Sequence, residues 1–336
     1  MNRGTLMILK DIHMRRESKS FTDAMYAILT AANRFDGPKY MLSGLSGMAF
    51  KFSVHQKLLP MSVTAYGQWG IEHKPAIDNL GIYTVFDAGR TRHSSFEIYQ
   101  KDAVQWMRQS LELGVGGVYW IPEFGVIHGY DDDDRVFYVQ DGWSEESRIV
   151  LYDNFGINMT PFWYCQIFGD KVNIGMQDAV LESLRLALYD WETMYKTLPD
   201  RCIASGRHAY SFLIRAFEQG DFDRSGAVYI VDSYLSSRSE IKEYMQEVKN
   251  ILPGLDEVYS MYTELVSIVE EELAVSLPSI HGKRQLAEHR LLSLCTTFEK
   301  ALVLEERAMG LSRIISERYP DRKRSILPRW GAHSAR

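Results

Sequence analysis

The stretch PEFGVIHGYDDDDRVFYVQDGW, residues 122–143, divides into two apolar runs around a block of four aspartates. Runs rich in β-branched and aromatic residues, bounded by turn formers, predict strands. GVIHGY and RVFYVQD therefore predict an antiparallel hairpin with Asp131 to Asp134 at its tip. A calcium-binding loop spaces its ligands alternately and carries a glycine and a distal glutamate. DDDDRVF has neither feature, so a solvated turn is expected there. VGGVYWI upstream and RIVLYDNF downstream extend the hairpin to four consecutive strands joined by Gly and Asp turns.

Upstream, FTDAMYAILTAAN places Phe21, Ala24, Met25, Ile28 and Leu29 at helical spacing, with Asn33 and DGP as the stop. KYMLSGLSGMAFKFSVH follows: glycines interrupt its apolar run before an alternating, strand-like end. DAVQWMRQSLELG predicts a second amphipathic helix closed by Gly114. Helix, helix, then meander is an α+β pattern. From Gln177 onward, five segments carry apolar residues three and four apart and predict a helical bundle. The sequence thus suggests an α+β domain over 1–172, a bundle over 173–320 and a basic tail over 321–336.

With 46% hydrophobic and 24% charged residues, the 336-residue chain can bury a substantial core. Its net charge of −6 argues against a general nucleic-acid binder. Cys165, Cys202 and Cys295 show no paired spacing, which favours a reducing compartment and excludes the usual cysteine zinc sites. The first twenty residues predict neither a signal peptide nor a membrane span. A cytoplasmic protein without membrane or nucleic-acid partners is expected. His13, His55, His73 and His93 lie in separate segments without ligand spacing, so neither a metal nor a cofactor is expected.

The helix at residue 20 and the hairpin together resemble the papain fold of cysteine enzymes, in its C39-peptidase-like form. That family opens a helix on its nucleophile, with small and apolar residues four, five, eight and nine positions later. Ala24, Met25, Ile28 and Leu29 fit this frame and put Ser20 at the nucleophile position. Its histidine-led strand runs into Gly-Tyr-Asp and is followed by a strand ending in Asp or Asn. Gly129, Tyr130 and Asp131 match, which sets Glu123 at the histidine position and Asp141 at the third. LSGLSGMAF resembles the glycine-rich segment of the butirosin-biosynthesis acyltransferase subgroup, through Leu45, Gly47, Ala49 and Phe50.

The resemblance implies a papain-like α+β domain with an antiparallel sheet, followed by a helical bundle. It also implies acyl transfer from a carrier-protein thioester to an amine in small-molecule biosynthesis. The partners would be an acyl carrier protein and a small-molecule amine, and whether the chain works alone or as a homo-oligomer stays open. Ser20, Glu123 and Asp141 would be the catalytic residues, and Ser46, Gly47, Phe50 and His128 would line the substrate. The usual Cys and His are both replaced, however. A serine hydroxyl is far less acidic than a thiol and needs an adjacent base. A catalytically silent descendant that binds a small molecule or a protein is therefore the competing expectation, with Ser20 as a plain helix cap. On a regular strand Glu123 and His128 face opposite ways, so a bulge would be needed for both to serve one site.

Overall fold

The computed structural model describes residues 6–60, 69–197 and 199–319. The chain runs β1 (Leu6–Ile8), α1 (Ser20–Ala31), α2 (Lys39–Leu45), β2 (Ser53–His55), α3 (Trp69–Asp78), β3 (Ile82–Arg90) and α4 (Phe96–Glu112). The strands β4 (Gly117–Trp120), β5 (Phe124–Asp131), β6 (Val136–Gln140), β7 (Arg148–Leu151) and β8 (Phe162–Lys171) follow. Then come α5 (Met176–Glu192), β9 (Ile203–Ser205), α6 (Arg207–Gln219), α7 (Arg224–Val248), α8 (Leu255–Ser276), the short ribbon β10 (Ser279–Ile280) and β11 (Lys283–Arg284), and α9 (Leu291–Glu317). This is a mixed α+β chain with an antiparallel sheet and C-terminal helices. Among the described residues, no helix is long and apolar enough to cross a membrane.

Two compact units emerge, and they are not the contiguous stretches expected on either side of residue 172. Residues 6–42 and 80–173 form the first, while residues 43–60 and 69–79 belong with the helices from residue 174 onward.

In the first unit the strands are ordered β3-β8-β4-β5-β6-β7, every neighbouring pair antiparallel. β1 pairs with the far end of β5. The four strands expected from the sequence are all present, and β3 and β8, which it did not reveal, extend the sheet. Helices cover both faces. A Cβ on Gly116 would meet Ile28 of α1, whereas one on its neighbour Gly117 would meet Met107 of α4. Double coverage explains why β4 and β5 are buried almost throughout and lack a clean polar alternation. On the α4 side, Met107, Leu111, Tyr119, Ile127, Phe137 and Trp163 share one core.

β5 carries one residue too many for its partner. Ile127 pairs with Val139 but Gly129 pairs with Tyr138, leaving His128 as the extra residue of a β-bulge. The bulge inverts the strand's parity, so Ile127 and Tyr130, three apart, enter the same core.

In the second unit, Glu305 of α9 is buried to 1% exposure and binds groups from three other helices. Arg238 of α7 holds both its oxygens at 2.9 Å. Tyr262 of α8 donates at 3.1 Å, and Tyr210 of α6 donates to the same carboxylate. Tyr234 closes the network at 2.6 Å from Tyr210, and the Arg238 guanidinium lies over its ring. A second buried set joins Lys196 to Asp190 of α5 and, at 2.8 Å, to Glu72 of α3, with Lys51 at 3.6 Å from Asp190.

The segment 43–55 is built into this unit. Gly44 lies so close to the Tyr244 ring that a Cβ would stand 2.1 Å from it. Phe52 packs edge-on against Tyr210 and Tyr234, and β2 pairs with β9. The strand-like end of KYMLSGLSGMAFKFSVH is thus a strand, but of a two-stranded ribbon in the helical unit.

Removing one partner of a buried ion pair leaves the other charge uncompensated, at a cost of about 3–5 kcal/mol. Glu305→Gln should therefore lower the stability measured by urea unfolding by about that amount. The Arg238→Met/Glu305→Leu double variant should lose less than Glu305→Gln alone.

Candidate functional site

Ser20 is the first residue of α1, and the helix start carries no side-chain cap; Lys19 occupies the capping position. The start of the helix is held instead by Asp23. Its buried carboxylate accepts the backbone N–H groups of Glu17 and Ser18, each at 3.1 Å, and the Lys39 ammonium at 2.9 Å. Burial pushes the Asp23 pKa up, against the pull of Lys39 and the two N–H groups. Asp23 was visible in the sequence only as a polar residue in the first turn.

So fixed, Ser20 sits at 2% exposure with its Oγ accepting the Phe124 N–H at 3.2 Å. The expected plain cap is therefore not its role: the hydroxyl reaches across to the start of β5. Phe21 follows the same path and meets the Phe124 ring edge-on.

Glu123 stands immediately before β5 with φ at +111°. That region is sparsely populated by residues other than glycine and costs on the order of 1–3 kcal/mol. Its carboxylate faces Arg16, with Nη1 to Oε2 at 3.5 Å. Arg16 also donates through Nε to the Asp141 carbonyl at 2.8 Å, and its backbone N–H donates to Gly142. The chain reaches this position along the end of β6, where the Gln140 amide clamps Ile12 and Met14. Arg16 thereby joins the Glu123 corner to the Asp141 corner. Nothing in the sequence marks it beyond its charge.

Asp141, 3% exposed, accepts the N–H groups of Trp143 and Ser144 and pairs with Arg148 at 2.7 Å. Burial alone would raise its pKa. The two N–H groups, with Arg148 and Arg16, outweigh that and hold it below the usual carboxylate value. The three catalytic candidates thus gather in one unit, linked through Arg16 and the Phe124 backbone.

His128 goes elsewhere. The bulge that could have turned it toward Glu123 is present, but its Nε2 bonds Ser147 at 2.8 Å. Burial lowers its pKa and favours the neutral ring. Ser46, Gly47 and Phe50 lie in the second unit. Ser46 Oγ donates to the Ser43 carbonyl at 3.2 Å, Gly47 takes φ +74°, and Phe50 packs edge-on against Tyr262. Their visible work is a tight turn packed among helices.

The acidic turn is more than a solvated tip. Asp131 accepts the Asp133 and Asp134 N–H groups, while Asp132 takes Arg108 at 2.6 Å and the Tyr152 hydroxyl at 2.9 Å. Arg108, Asp132 and Tyr152 line a cleft of about 520 Å³ on the α4 side, which none of the predicted site residues lines. Among the described residues, no three His, Cys, Asp or Glu side chains converge as a metal site. No family model matches the chain, and no curated protein matches it.

A carboxylate with a depressed folded pKa contributes stability above the unfolded value, here 3.8, that is lost as pH falls through the folded one. Asp141→Asn removes that contribution. It should lower stability at neutral pH and flatten the acid limb of a Tm-against-pH curve below about pH 4.

Proposed function

We propose that the first unit is a papain-like, C39-peptidase-like domain in which Ser20, Glu123 and Asp141 occupy the nucleophile, base and orienting positions. We further propose that it binds an acyl-bearing small molecule without forming a covalent intermediate. The observation that carries the reading is the Glu123 corner. A glutamate held at φ +111°, beside the N–H that engages the Ser20 hydroxyl, is a strained residue of the kind that clusters at ligand and active sites.

Binding suits this corner better than turnover. A serine nucleophile requires a base that accepts its proton. Glu123 is paired with Arg16 at 3.5 Å, and Asp141 is committed to Arg148 and two backbone N–H groups. The resemblance supplies the acyl-bearing character of the ligand.

A second reading is acyl transfer from a carrier-protein thioester to an amine, with Ser20 as nucleophile. The Ser20 hydroxyl lies at the head of β5, beside the position that the resemblance gives to the base, and that favours it.

Intact-mass spectrometry and thermal unfolding with a panel of acyl-pantetheine thioesters separate the two. The expected result is a ligand-dependent rise in Tm with no gain in mass. A mass increase that maps to Ser20 and vanishes in Ser20→Ala would establish acyl transfer instead. No Tm shift and no adduct with any thioester would remove the acyl ligand from both readings.

A further inference from the structure

A groove of about 700 Å³ in the second unit is walled by the end of α5, the start of α6 and the later turns of α9. Its volume falls in the range of small-molecule sites, roughly 300–1,000 Å³. Trp191 and Met309 pack into its floor, and Met194 stands more than half exposed on its wall.

Gly310 lies exposed in the same groove, in the interior of α9. Glycine weakens a helix interior relative to alanine. At Gly44 that weakness is matched by the Tyr244 ring against the helix, but a Cβ on Gly310 would meet nothing within 4 Å outside its own stretch of helix. Nor does Gly310 take a positive φ. No packing within the described residues accounts for a bare helix backbone here, and it leaves room for a flat group against α9.

The rim is zwitterionic. Arg207 pairs with Glu306 at 2.9 Å and Arg313 with Glu192 at 2.7 Å, all four side chains being about half exposed. Exposed pairs of this kind contribute little to stability, so a ligand can take over either member at small cost. Sulfur and indole on the floor favour an aromatic ring over an aliphatic one.

We propose that this groove binds a free aromatic amino acid. Its ring lies over Gly310 against Trp191 and the methionines, its carboxylate meets a rim arginine and its ammonium a rim glutamate. The site is independent of the Ser20 corner and of any acyl chemistry there.

Calorimetric titration of the full chain with L-tryptophan and L-phenylalanine tests this, with L-tryptophan methyl ester and N-acetyl-L-tryptophan as probes lacking one charge each. The expected result is saturable binding of the free amino acids, weakened about tenfold or more by blocking either charge. The Arg207→Gln/Arg313→Gln double variant should lose the preference for the free acid over the ester. Gly310→Leu should abolish binding while its Tm is unchanged or raised, since leucine is the better helix former. No saturable heat at millimolar amino acid overturns the proposal. So does equal binding to Gly310→Leu, or equal affinity for the blocked and free forms.

Discussion

A single carboxylate organises the helical unit. Glu305, on α9, is the point at which α6, α7 and α8 each contribute a donor, through Tyr210, Arg238 and Tyr262. Desolvating an arginine and a glutamate is costly, and their attraction offsets it only when geometry is good and the remaining hydrogen-bonding groups are satisfied. Both conditions hold here: the guanidinium spans the carboxylate, and tyrosines take its other faces. The surrounding residues follow from this constraint. Phe52 lies under Arg238 and against Tyr210 and Tyr234, which draws the segment after α2 into the bundle.

The first unit is governed by a different device, the convergence of chain corners on Arg16. Asp23 holds the start of α1 and so fixes Ser20, Gln140 clamps the run from Ile12 to Met14, and Arg16 then reaches both Glu123 and the Asp141 carbonyl. A guanidinium with five fixed donors suits such a junction better than an ammonium would. The result is a rigid corner in which a positive-φ glutamate is tolerated because its neighbours leave it no alternative.

Much of the architecture was legible because it rests on periodicity. The spacing of Phe21, Ala24, Ile28 and Leu29 gave α1, and GVIHGY with RVFYVQD gave the β5–β6 hairpin. β3 and β8 were missed because IYTVFDAGR and FWYCQIFGDK lack the simple apolar–polar alternation of a half-buried strand. The bulge at His128 was legible only as a condition, since an extra residue changes pairing without changing composition. Of the candidate site, Ser20, Glu123 and Asp141 came from the spacing of a resembled motif. Arg16, Asp23 and Arg148 were invisible, because a charged residue announces its partner only once the chain has brought the two together. The assignment of residues 43–60 and 69–79 to the helical unit was hidden for the same reason.

That interleaving has a temporal consequence. Phe50 and Phe52 are synthesised early, yet their partners Tyr210, Tyr234 and Tyr262 follow only after roughly half or more of the chain has been made. At about 5–20 residues per second, the wait is on the order of ten seconds. During that interval the strands of the first unit, the last of which ends at Lys171, are complete while Phe50 and Phe52 still lack those partners. The chain of the first unit is thus complete before that of the second, and two apolar side chains of the second unit wait for partners made later.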